Sequence, residues 1–537
     1  MRRRGLEACR TALKRGRITS ASNQRNLARS AFATERGTLC DTCAPTSCFG
    51  EPWSSLQQSA RAFLVRVRQR CSRRPIGTTS HGTSLSRAVR PNDPNQQRRE
   101  SVCPKLRLIG TRGVRSHTAR ALDNLTHSLV GLLAAETVIR ARERGKPPER
   151  SLDPWTRSAL YVLSIVGNNL PDIDLTYSRI SGKTLGYLLH HRGYTHTLPA
   201  AILFAALMMG LVVALAKRRS RAIARGDFWL LAGVALFSPL LHIAMDFGNA
   251  YGVHPFWPVY DGWIYGDSFF IFEPSFWLVI IAPLVFSLRT KTIRIALWVM
   301  LTVAVAAVWY RPMVPRGNAV VLSLLTVGLL MVARKMRPAA RLVWSLAGFL
   351  GIALAFVIGS RLAKAAVSER TRAQFPSAEI LDVVAAPMPA NPFCWSMLLV
   401  ERDAATYFVR LGWVAIFPAW LDVDACPYDR SAEPTAPLTP LAPGGGNRVR
   451  LIAEYQVALS ELRALPQDRC EARAFLRFAR VPYFSERAPD RTRIIGDLRY
   501  DREPGLDFSD LQLPAMQGRC PPYVPPWLPP RSDLLLP

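Results

Sequence analysis

Residues 122–360 are a succession of apolar runs divided by short basic or Pro/Gly-containing breaks. Run length and breakers predict membrane-crossing helices at about 125–139, 158–170, 197–216, 228–247, 269–288, 293–310, 319–333 and 342–359. The first two are short for a hydrocarbon core of about 30 Å, which suits tilted, re-entrant or protein-encased segments. After 360 the pattern changes. Strand-length apolar or alternating runs occur at 378–384, 395–400, 406–411, 449–457 and 493–500, with a helix candidate at 472–478. A Pro/Gly loop fills 431–446, and a Pro-rich tail fills 514–537. The first 121 residues have little period and few positions to bury, which predicts disorder. The expected fold is mainly α: a polytopic transmembrane bundle of about eight spans (122–288 and 289–360), then a small α+β extracytoplasmic domain (361–513).

Charge sharpens this division. The chain has 537 residues and a net charge of +30, yet residues 1–120 alone hold 25 Lys+Arg against 6 Asp+Glu. That asymmetry excludes a uniformly basic nucleic-acid binder, and no nucleic-acid partner is expected. The connections after the first, third, fifth and seventh runs hold 18 basic residues, and those after the second, fourth and sixth hold 5. The positive-inside rule then places the start of the first span and everything after the eighth outside. Cys394, Cys426, Cys470 and Cys520 lie in that outer region and allow three pairings. The spacing Cys40-x2-Cys43-x4-Cys48 has no second pair at zinc-ribbon distance and reads as unstructured thiols.

Five of the eight histidines fall in three short motifs, and a fourth motif carries only carboxylates. Asp123-Asn-Leu-Thr-His127 and His242-Ile-Ala-Met-Asp246 each place two groups at i, i+4 on one helical face. Asn168-Asn-Leu-Pro-Asp172-Ile-Asp174 sets two carboxylates just past a helix-stopping proline. His190-His191-Arg-Gly-Tyr-Thr-His196 can turn at its glycine so that two imidazoles converge. Each motif sits at a span end, and in the alternating topology all four reach the same outer face. Singly, an intramembrane His or Asp can just bridge helices. Together they suggest that His127, Asp172, Asp174, His191, His196, His242 and Asp246 hold one or two divalent ions, with Zn²⁺ or Mn²⁺ the best matches. Asp123 is placed to orient an imidazole or take a proton, and Arg192 to neutralise an anionic oxygen. His254, Asp267 and Glu273 lie in an aromatic-rich loop (251–274) suited to an interfacial belt or a wall over the metal.

The segments DNLTHSLVG (123–131), LPDIDL (170–175), HHRGYTHTLP (190–199), HIAMDFGNAYGVHPFWP (242–258) and YGDSFFIFEP (265–274) resemble the YdjM-like family of bacterial inner-membrane, metal-dependent hydrolases. The resemblance implies a divalent metal and hydrolase activity in the bacterial inner membrane, and it names no substrate. With the membrane setting, it points to metal-activated water attacking an ester or phosphoester, with membrane lipids as surroundings and a lipid-linked molecule as substrate. The alternative is a non-catalytic membrane protein that binds or moves a metal ion. Because such sequences usually begin near Leu122 with Met, the expectation is also that residues 1–121 are not natively translated.

Overall fold

The computed structural model describes residues 111–535, except 146, 148–150, 270–272, 311–313, 315, 427–435, 443–445, 488–491, 501–507 and 514–519. The expectations for the basic tail, its cysteines and an internal start therefore lie outside the described residues, apart from one detail. The first helix, α1 (Thr111–Glu143), begins upstream of Leu122.

Nine helices of the described chain build the apolar part. After α1 come α2 (Pro154–Gly167), the short α3 (Lys183–His190), α4 (Leu198–Arg218) and α5 (Arg225–Phe247). They are followed by α6 (Pro274–Ser287), α7 (Lys291–Tyr310), α8 (Arg316–Lys335) and α9 (Pro338–Gln374). Only five of these, α4, α5, α7, α8 and α9, are long and apolar enough to cross a membrane. The expected count of about eight is therefore not confirmed. At 1.5 Å per residue, the 14-residue α2 and α6 reach only about 21 Å. For α6 the physical reason is direct. It is the most apolar of the shorter helices, and Phe276, Trp277, Ile280, Ile281, Leu284 and Val285 are buried among α1, α7, α8 and α9. Hydropathy alone cannot distinguish a side chain facing lipid from one facing protein.

The bundle has two cores that share α1. One packs α1 against α6–α9; the other packs Ile139 of α1 with Leu160, Leu163, Met208, Val212 and Leu231 of α2, α4 and α5. Gly131 lets α1 and α2 meet closely, since a Cβ there would lie 2.7 Å from the Ser164 carbonyl oxygen. Ser164 in turn donates to the Gly131 carbonyl at 2.8 Å.

The predicted end of the eighth span at 359 is not a helix end. The 37-residue α9 continues to Gln374, about 55 Å in all. Its second half packs Phe356, Ala363, Ala366 and Val367 against Trp395, Met397 and Leu399 of a sheet. That sheet contains β1 (Glu379–Met388), β2 (Asn391–Asp403), β3 (Thr406–Ala415), β4 (Thr439–Pro440) and β5 (Val449–Ala458), in the antiparallel order β1-β2-β3-β5-β4. Next come α10 (Leu459–Asp468) and α11 (Cys470–Phe475). A second antiparallel sheet, β6-β7-β8, follows (Pro482–Arg487, Thr492–Asp497, Asp510–Leu513), with a last turn, α12 (Ser532–Leu535). Of the three possible pairings, the cysteines form Cys394–Cys426 and Cys470–Cys520.

The sheet region grips the loop that follows α5. Arg480 holds Asp267 with two bonds of 2.7 and 2.9 Å, and Lys364 adds a third at 2.6 Å. Glu273 accepts the Ala390 amide at 3.0 Å. The Pro-rich end is anchored as well, because Trp527 is fully buried and donates to the Leu189 carbonyl at 2.8 Å.

Candidate metal centre

Four chain segments meet at one end of the bundle. The middle of α1 supplies Asp123 and His127, and the C-terminal end of α5 supplies His242 and Asp246. Pro171 stops α2, and the 3-10 turn Leu170–Thr176 carries Asp172 and Asp174. The turn after α3 brings His191, Arg192 and His196. All of these are buried except Asp123, whose side chain is 15% exposed.

The centre of the site is a four-donor set. His196 Nε2 lies 3.0 Å from His242 Nε2, 3.1 Å from Asp246 Oδ2 and 3.5 Å from Asp172 Oδ1. His242 Nε2 lies 3.3 Å from Asp246 Oδ2 and 3.5 Å from Asp172 Oδ1. A tetrahedron with ligand bonds of about 2.0–2.1 Å has donors about 3.3 Å apart, so these spacings suit one small dication. The protons also fit. His242 Nδ1 donates to the Asn168 carbonyl at 2.9 Å, and His196 Nδ1 faces Asp174 Oδ2 at 3.2 Å. In that tautomer each Nε2 would present its lone pair to a cation. Asp172 Oδ1 and Asp246 Oδ2 are buried without a hydrogen-bond partner among the described residues. Four electron-rich atoms thus converge where water is excluded, an arrangement costly without a cation.

Two further groups flank this set. Asp246 Oδ1 lies 3.3 Å from His127 Nε2, with Asp123 at 3.6 Å from the same nitrogen. On the other side, Asp172 joins Asp174 and His191, whose Nδ1 is 3.2 Å from Asp174 Oδ1. Asp172 and Asp246 thus each belong to two adjacent groups.

The remaining residues hold this arrangement in place. Asp174 Oδ2 accepts the Arg192 amide and the Thr195 hydroxyl, both at 2.9 Å. The Arg192 guanidinium is 2.9 Å from Asp246 and 3.2 Å from Asp123, while its backbone sits at φ +60°. Its Nε has no partner among the described residues. His190 turns away to the Ser181 hydroxyl at 2.8 Å. His254 lies between Trp263, tilted to it, and Trp527, stacked on it, each at 3.9 Å, and its Nδ1 lies 3.3 Å from the Arg192 carbonyl. Burial pushes that imidazole down to about 3, so it stays neutral. Asp267 and Glu273 are engaged with the sheet region rather than with the donor set.

A cavity of about 40 Å³ reaches Asp123, His127 and Asp246 from between Phe269, Phe276 and Phe349. Phe269 and Asn249 also line a second cavity, of about 150 Å³, against the first sheet, where Arg499 and Tyr500 face it.

Sequence reasoning passed over two contributors. Asn168 acts through its backbone carbonyl, which no side-chain pattern reveals, although it opens the motif that supplies Asp172. Trp527 lies in a Pro-rich stretch with no periodic signal, far from the motifs it covers.

Fold and site together define a multi-pass membrane protein with a buried histidine–carboxylate centre. Residues 122–316 match the family model described as YdjM inner membrane protein. Over 122 residues the chain is 26% identical to the uncharacterized protein YfhP of Bacillus subtilis (strain 168), which covers 23% of this chain and 35% of that protein. The chain thus spans about a third of that relative's length. No solved structure matches.

Proposed function

We propose that the protein is a membrane metal-dependent hydrolase acting on an ester or phosphoester. The observation that carries this reading is the convergence of four buried donors, His196 Nε2, His242 Nε2, Asp172 Oδ1 and Asp246 Oδ2, with each imidazole nitrogen 3.0–3.5 Å from the other three atoms. His127 with Asp123, and Asp174 with His191, are the donors for a second ion sharing Asp246 or Asp172. When bound, a divalent ion supplies Lewis-acid chemistry and makes water a usable nucleophile near neutral pH.

The chain's own groups then have distinct tasks. Asn168 and Asp174 fix the two imidazole tautomers. Arg192 holds Asp246 in place and offers its unpartnered Nε to an anionic oxygen. Asp123, the least buried carboxylate of the group and a wall of the small cavity, is the group to take and return a proton. Phe269, Phe276 and Phe349 keep bulk water out and favour a substrate with an apolar portion, which fits a lipid-linked molecule. Zn²⁺ and Mn²⁺ both suit a mixed imidazole and carboxylate set.

The test is elemental analysis of purified protein, paired with hydrolysis of bis(p-nitrophenyl) phosphate and p-nitrophenyl butyrate. His196→Ala, His242→Ala and Asp246→Ala should each remove most of the bound metal and the hydrolysis together, and His190→Ala should keep both. Full metal content in all three site variants would refute the metal centre. Bound metal without turnover of either probe would favour a binding or transport role instead.

A further inference from the structure

The end of the bundle away from the His/Asp cluster holds a cavity of about 1010 Å³. It lies between the last turns of α1 and the first turns of α9. Arg140, at its edge, is about 20 Å along α1 from His127. One wall is apolar and includes Leu342, which is buried, and Leu346 and Leu350, which are exposed. The rim is basic. Two of its arginines are committed, Arg140 to Glu136 at 2.8 Å and Arg157 to Glu143. The other three, Arg144, Arg289 and Arg337, are exposed and make no side-chain hydrogen bond or ion pair among the described residues.

A cleft in a membrane bundle needs an occupant, because an empty gap forfeits dispersion contacts along its whole wall. This cleft asks for something apolar along α9 and anionic at the rim. We propose that it binds an anionic glycerophospholipid, with the head group on Arg144, Arg289 and Arg337 and an acyl chain along Leu342, Leu346 and Leu350. Charge argues against the chain's own tail as occupant, since residues 1–120 carry a net +19 and the rim is already cationic. Free phosphate would satisfy the arginines but leave the apolar wall uncovered. The proposal is independent of the hydrolase reading, because no residue of the cleft touches the metal centre.

Native mass spectrometry of the delipidated full-length protein decides it. The probes are dioleoyl-phosphatidylglycerol, dioleoyl-phosphatidylcholine and inorganic phosphate. Phosphatidylglycerol should bind and phosphatidylcholine should not. At about 1 kcal/mol per basic residue, Arg144→Gln, Arg289→Gln and Arg337→Gln should each weaken it about fivefold. Leu346→Asn combined with Leu350→Asn makes the apolar wall polar without changing charge and should also weaken binding, while all variants keep the wild-type unfolding temperature and metal content. Equal retention of both lipids, unchanged binding in the triple arginine variant or in the double asparagine variant, or displacement by phosphate at matching affinity would each overturn the proposal.

Discussion

At the scale of single residues, the site separates groups that face the donor set from groups that hold those in place. Asp174 is the informative case. Its two oxygens accept from the Arg192 amide and Thr195 and face the Nδ1 atoms of His191 and His196. If its main task is orientation, Asp174→Asn should keep the metal stoichiometry but weaken affinity about 10–100-fold, as loss of a supporting carboxylate generally does. Titration with a competing chelator reads this directly, and complete loss of metal would instead make Asp174 a ligand. Away from the bundle, Asp382 carries a different electrostatic prediction. Burial would raise its carboxyl, but Arg480, then Arg531 and Lys364, pull it down to about 2. A depressed carboxylate stabilises the fold above its unfolded value near 3.9 and loses that contribution as pH falls through the folded value. Asp382→Asn should therefore cost about 2 kcal/mol at pH 7 and nothing near pH 2 in chemical unfolding. An equal cost at both pH values would exclude the ionic account.

At the scale of elements, the C-terminal segment behaves as part of the site's outer wall. Trp527 stacks on His254, bonds the Leu189 carbonyl and lies against Tyr194 at 4.7 Å. It thereby braces both the turn that carries Arg192 and His196 and the loop after α5. Trp527→Ala should cost about 3–5 kcal/mol of stability and weaken metal binding, although it touches none of the donors. Unchanged metal affinity in a destabilised variant would confine Trp527 to packing. The sequence pattern anticipated the inner part of this arrangement and missed the outer part, for a physical reason. Asp/His pairs at i, i+4 and a proline before Asp172 fix side-chain direction locally, so the pattern was readable in Asp123, His127, Asp172, His242 and Asp246. Strands β1, β2, β3, β5 and β7 were legible because apolar positions recur at strand length. The short β8, the continuation of α9 past 359 and the bracing by Trp527 depend on contacts between distant segments, and no local period encodes those. The span count was not legible for a related reason: a helix sheathed in protein, as α6 is, has the composition of one sheathed in lipid.

At the scale of the whole molecule, orientation decides which compartment the centre serves. Counted over the eight apolar runs, the connections hold 18 basic residues against 5, from which the expectation is that the candidate metal centre and the sheet region face outward, a side that the fusions below test. The two disulfides, Cys394–Cys426 and Cys470–Cys520, belong to that same region and agree with an oxidising compartment. Charge and thiol chemistry are separate arguments, and neither uses the histidines. They also constrain the site itself, because Cys470–Cys520 ties the segment carrying Trp527 to α11. A reporter phosphatase fused after Phe375 should be active, and one fused at Ser220, in the connection between α4 and α5, should be inactive. In intact cells the four C-terminal cysteines should resist alkylation until a reductant is added. Closing loops of 32 and 50 residues, the pairs should together contribute several kcal/mol, so reduction should lower the unfolding temperature and loosen metal binding through Trp527. The opposite fusion pattern, with the four thiols freely alkylated, would turn the molecule over and place the metal centre in the cytoplasm, where hydrolysis would have to draw on substrate from the inner leaflet.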